Sequence, residues 1–213
     1  MVDAGDFGAW LIQAREALRG TGGSTVPCGD CTGCCTSSYS IEVRPTDAAA
    51  LERIPAKSLF RSLGSGAGNW TVRPNADGTC PMLSCGKCTL YAQRPQTCLD
   101  YDCRVFAAAG LEAGGEDKAV INRRVRDWRF EFASDADRQA HAAIRAAAAF
   151  IRDAHDQFAP GAVPRNPLGI AALALRVYSI FLPPGPPGSQ ADTARAVLAA
   201  GAAFDGGLSR TPG

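Results

Sequence analysis

The sequence predicts a mainly α protein, with a small strand-containing, cysteine-rich region in its N-terminal half and a helical C-terminal half. Three observations lead there. Apolar residues recur at three- and four-residue spacing near the start of the chain and through most of residues 137–204, the pattern of helices with one buried face. Runs that favour strands are few and short, at residues 40–43, 70–73 and 127–132. All nine cysteines lie between Cys28 and Cys103, and the stretch after Cys103 has none.

Taken in order, residues 6–19 read as an amphipathic helix. Phe7, Trp10, Leu11, Ala14, Ala17 and Leu18 share a face, and Gly20, Gly22 and Gly23 end it. Residues 40–43 alternate as a short strand. Thr46 or Asp47 caps a helix over 48–54, which Pro55 ends. A second short helix is expected near 57–63, and 64–68 is a flexible loop. Residues 70–73 form a strand and 75–78 a turn. A helix over 105–111 stops before Gly114 and Gly115. Residues 127–132 are a strand or extended segment. Ser134 or Asp135 caps a long Ala-rich helix over about 137–158. Another helix covers 167–182, with Pro167 in its first turn. A stiff Pro/Gly linker at 183–189 leads to a last helix over 190–204. The expected division is a cysteine-cluster metal-binding domain over 1–133 and a helical extension over 134–213 packed on it.

The chain has 213 residues, 46% hydrophobic and 20% charged. That is enough to bury a core without cross-links, so the cysteines are not staples for a small fold. A formal net charge of +1 argues against nucleic acid as a partner, since phosphate binding needs a basic face. The most apolar stretch, 168–182, contains Arg176 and falls short of the ~20 residues a membrane span needs. No basic start followed by an apolar run marks a signal peptide. The expectation is a cytoplasmic protein with no membrane partner, in which thiols stay reduced. Clustered cysteines there bind metal ions rather than pair as disulfides.

The densest cluster is Cys28-Gly29-Asp30-Cys31-Thr32-Gly33-Cys34-Cys35, and Cys80, Cys85, Cys88, Cys98 and Cys103 follow it. Thiolate is a soft ligand suited to zinc or to an iron–sulfur cluster, and four thiolates complete either. Cys28, Cys31 and Cys34 form the C-x2-C-x2-C run found in bacterial ferredoxins, which favours iron–sulfur, with zinc as the alternative. Adjacent side chains diverge on a helix or strand, so Cys34 and Cys35 are expected to serve two neighbouring sites. The candidate metal ligands are Cys28, Cys31, Cys34, Cys35, Cys80, Cys88, Cys98 and Cys103, enough for two four-thiol sites. Cys85 is the odd one.

These residues resemble the CxxCxxCC family of zinc- or iron-chelating domains. The first cluster is followed by Cys80-Pro81-Met82-Leu83, then Cys88-Thr89-Leu90-Tyr91, then Arg94-Pro95-Gln96-Thr97-Cys98, and Cys103 closes the set. The resemblance covers about residues 28–103. It implies metal binding and leaves the metal open. The cysteine motif of a flagellin lysine methylase is similar to that of the family, which adds protein modification to the implied roles.

Lys87, Arg94 and Arg104 stand beside the candidate ligands. Arg94 is expected to offset the negative charge of a thiolate site, Lys87 to be surface charge. Tyr91 and Tyr101 read as packing residues. His141 and His155 read as solvated positions on one helix, too far apart to share an ion at ~1.5 Å of rise per residue. Arg123, Arg124, Arg126 and Arg129 read as a solvated basic face. No Ser-His-Asp or Cys-His pairing is visible, so no catalytic residue is assigned and enzyme activity stays open. Three functions remain: an iron–sulfur protein in electron transfer or in an enzyme, a zinc-scaffolded accessory protein with a protein partner, and a metal carrier.

Overall fold

The computed structural model describes residues 1–62, 68–186 and 188–206. In chain order the elements are β1 (Val2–Asp6), α1 (Phe7–Leu18), β2 (Ile41–Val43), α2 (Ala48–Leu51), β3 (Leu59–Arg61), β4 (Trp70–Val72), β5 (Leu83–Ser84) and β6 (Lys87–Cys88). Then come α3 (Gln96–Asp100), α4 (Arg104–Ala109), α5 (Ala119–Asp127), β7 (Trp128–Glu131), α6 (Asp135–Asp153), α7 (Pro167–Val177) and α8 (Gln190–Gly206). The protein is mainly helical, with a cysteine-rich region in the N-terminal part and a helical C-terminal half.

The best-signalled helices form as expected. Asp6 caps α1 by accepting from the Ala9 amide at 2.8 Å, and Phe7, Trp10 and Leu11 are buried. Ser134 and Asp137 form a reciprocal capping box at the start of α6. Asn166 caps α7, whose first residue is Pro167. Two of these helices are shorter than expected. α6 stops at Asp153 and a 3-10 turn, His155–Gln157, follows; α7 gives way to the 3-10 turn Tyr178–Phe181.

Elsewhere long-range pairing overrides local pattern. β1, not expected from five residues containing Gly5, pairs in parallel with β7. The helix expected at 57–63 is instead the 3-10 turn Ala56–Ser58 and then β3, which joins β2 and β4 in an antiparallel sheet of order β2-β4-β3. Pairing to β4 satisfies the backbone of β3, while Arg61 lies over the Trp70 ring and Arg73 over Phe60. The loop expected at 64–68 lies outside the described residues except for Gly68. Asp47 does not cap α2 with its side chain. Its carboxylate accepts the amides of Arg44 and Gln96 at 2.8 and 2.9 Å, tying the start of α2 to α3. α5 was not expected either. Arginines dominate its sequence, but Ile121, Asn122 and Val125 form a buried face.

Two cores result. One joins α1, α4, α5, α6, α7 and α8 around Phe7, Phe106, Ile144, Ile151 and Leu175. The other, Val43, Ala50, Ile54, Val72, Cys80, Met82 and Leu90, lies under the cysteines. No helix among the described residues is long and apolar enough to cross a membrane.

Candidate metal centre

The first cysteine cluster is a tight turn. The Cys31 amide donates to the Cys28 carbonyl at 3.0 Å, and the Cys35 amide to the Thr32 carbonyl at 2.8 Å. The 3-10 turn Gly33–Thr36 carries Cys34 and Cys35. It sits on α5 so closely that a Cβ at Gly33 would lie 3.2 Å from Ile121 Cγ1. Lys118 donates to the Ser37 carbonyl and Arg124 to the Cys28 carbonyl, which fixes the turn from both sides.

The second cluster is brought in by one direct link: the Cys80 amide donates to the Cys35 carbonyl at 2.7 Å. The β5–β6 hairpin then turns back through Cys85 at φ 48 and Gly86 at φ 70 and delivers Cys88. Pro95 starts α3, which carries Cys98. Cys28, Cys31, Cys34, Cys35, Cys80, Cys88 and Cys98 all line one cavity of about 420 Å³, floored by Ile41, Ile54, Val72, Met82 and Leu90. Cys103 lies outside this lining, where its Sγ accepts from the Trp128 indole N–H at 3.2 Å. Cys85 is exposed at the hairpin tip and does not face the cavity.

The thiols influence one another strongly. Cys35 donates within a hydrogen-bonded trio with Cys34 and Cys88, which keeps its own proton on. The same bonds lower Cys34 to about 7 and Cys88 to about 6, against the opposing effect of burial. Burial raises Cys28 and Cys80, and pushes Cys98 and Cys103 up to about 12. Charge on Cys34, Cys80 and Cys88 is felt at Cys98, whereas Cys103 feels Cys28 and Cys31. Cys34 is felt on both sides, at Cys28 as well as at Cys35 and Cys98. Cys34 and Cys35 both sit on the 3-10 turn Gly33–Thr36 and both line the cavity.

Arg94 lines the cavity, its guanidinium 3.9 Å from the Tyr91 ring centroid, and its charge lowers Cys28, Cys34, Cys88 and Cys98. Its Nε is buried with no partner among the described residues. Lys87 is exposed, as expected of surface charge, and borders the cavity mouth. Arg104 does not serve the thiols. It is buried in a bidentate pair with Asp102, to which Trp10 and Ser24 also donate, and it donates to the Ala4 and Thr25 carbonyls. Arg124 leaves the expected solvated face to reach Cys28 and to lie 5.0 Å from the Trp128 ring. Tyr101 packs as expected, its hydroxyl 3.1 Å from that of Tyr39. His141 is not a solvated position: its ring packs on Phe7 and Phe132, with centroids 5.1 and 5.2 Å away. His155 lies beyond the end of α6.

No signal in the sequence marked Trp128 or Arg124, because both lie beyond the last cysteine. Asp102, two residues before Arg104, was a visible clue to a local ion pair.

Among the described residues, no three Cys, His, Asp or Glu side chains converge as they stand to hold an ion. The donor chemistry fits a soft or borderline metal: sulfur dominates the lining, and the Arg94 guanidinium, with its buried Nε unpartnered, faces it. Residues 27–119 match the model of the CxxCxxCC family, described as a “putative zinc- or iron-chelating domain”. No curated protein and no solved structure matches the chain.

Proposed function

We propose that this cavity holds an iron–sulfur cluster, bound by thiolates from both cysteine segments, and that the protein serves in electron transfer or in an enzyme built on that cluster. The observation that carries the reading is the Cys80–Cys35 backbone bond, which opens thiols from both segments onto one cavity. Its volume of about 420 Å³ supports a multi-atom centre, since one tetrahedral ion is enclosed within bonds of ~2.3 Å. Bound there, a cluster supplies one-electron chemistry. The chain's own residues do the rest: Ile54, Val72, Met82 and Leu90 keep water out, while Arg94 and Lys87 offset negative charge. One arrangement groups Cys35, Cys80, Cys88 and Cys98, and leaves Cys34 with Cys28, Cys31 and Cys103. That four-and-four division also supports a second reading, two closed zinc positions in a scaffold for a protein partner.

Cys85 tests the ligand set. Its position at the hairpin tip makes it surplus, so Cys85→Ser is expected to keep full metal content by elemental analysis. Cys88→Ser is expected to lose metal. Equal loss in the two variants would put Cys85 among the ligands and overturn this assignment.

A further inference from the structure

The match ends at residue 119, yet two side chains beyond it reach cysteines, one at a sulfur and one at a main-chain carbonyl. Trp128 is 3% exposed, the first residue of β7, and its indole N–H has Cys103 Sγ as acceptor at 3.2 Å. Arg124, one turn earlier on α5, donates to the Cys28 carbonyl and lies 5.0 Å from the Trp128 ring centroid. Its Nε is buried and has no partner among the described residues. Trp128 is held from below by the pairing of β7 with β1, so its N–H is aimed by the main fold rather than by the cysteine region.

We propose that Trp128 and Arg124 are positioning residues for the thiol group of Cys28, Cys31 and Cys103: Trp128 holds the Cys103 sulfur by an N–H···S bond, and Arg124 holds the Cys28 main chain. This rests on the metal reading above. A metal-bound thiolate accepts such a bond better than a thiol, because charge strengthens the acceptor. The bond fixes the Cys103 rotamer and draws electron density from sulfur, in the way that outer partners orient and tune ligands. Arg124 restrains the turn that carries Cys28 and Cys31.

The test uses the full chain loaded with cobalt(II), whose sulfur-to-metal charge-transfer band reports thiolate ligation. Trp128→Phe keeps the ring and removes the N–H. It is expected to keep cobalt stoichiometry, shift that band to lower energy and weaken cobalt binding about 10–100-fold. Arg124→Gln is expected to weaken binding with a smaller spectral shift, and it carries the test if Trp128→Phe loses helical structure. Trp70→Phe, in the β2-β4-β3 sheet, is expected to change neither. An unshifted band and unchanged affinity in both Trp128→Phe and Arg124→Gln would overturn the positioning role alone. A wild-type chain that takes up no cobalt by thiolate ligation would overturn the metal reading, and this inference with it.

Discussion

Removing the bound metal is expected to lower the melting temperature by roughly 8–16 °C. A ligand present at a thousand times its dissociation constant contributes about 4 kcal/mol, and a chain of this size shifts about 2–4 °C per kcal/mol. The loss should be uneven. The small core of Val43, Ile54, Val72 and Met82 stands directly behind the thiols, while the core of α1 and α4 to α8 contains no cavity-lining cysteine. Chelation is therefore expected to abolish the near-ultraviolet signal of Trp70 and to leave most far-ultraviolet helix signal in place. Acid should do the same, since thiolates must be protonated to release metal. A cysteine region that kept its stability without metal would contradict the coupling of binding to folding.

Asp102→Ala is expected to destabilise the protein by about 3–5 kcal/mol, the range for breaking a buried ion pair. Asp102 and Arg104 have side chains only 9% and 6% exposed. Removing the carboxylate strands the guanidinium and leaves the Trp10 indole N–H and the Ser24 hydroxyl without their acceptor. The same network joins β1, α1 and the segment before Cys28 to the residues flanking Cys103, so metal retention should fall with stability. Pairing Asp102→Ala with Arg104→Met should recover part of the loss, because no buried charge then remains. Urea unfolding measures both. A cost below about 1 kcal/mol, or a double variant no more stable than the single one, would show that the pair does not hold these segments together.

The elements legible in the sequence were those whose own residues sufficed. α1, α6 and α7 carry caps, and all of these with α8 show helical periodicity, so their cores could be read from pattern alone. β1 and β3 exist because distant partners complete them, and nothing local demanded a strand at Leu59–Arg61. α5 was hidden because three arginines flank two apolar positions that matter only once Gly33 is set against Ile121. The cysteine spacing pointed to the thiols that share a cavity, and the Arg-Pro pair to a cation facing them. It did not reveal that Cys34 and Cys35 would lie together on a 3-10 turn rather than on a helix or strand. Nor could spacing show that the Cys103 sulfur accepts from the Trp128 indole N–H.

The most direct measurement is elemental and acid-labile sulfide analysis of the full chain purified without oxygen, alongside a count of thiols that react under native conditions. The expected result is stoichiometric iron with labile sulfide, and Cys85 as the one thiol that reacts quickly. Stoichiometric zinc without sulfide would keep the thiolate centre and replace the cluster by the scaffold reading. A folded chain without metal, whose nine cysteines react at similar rates, would contradict the account.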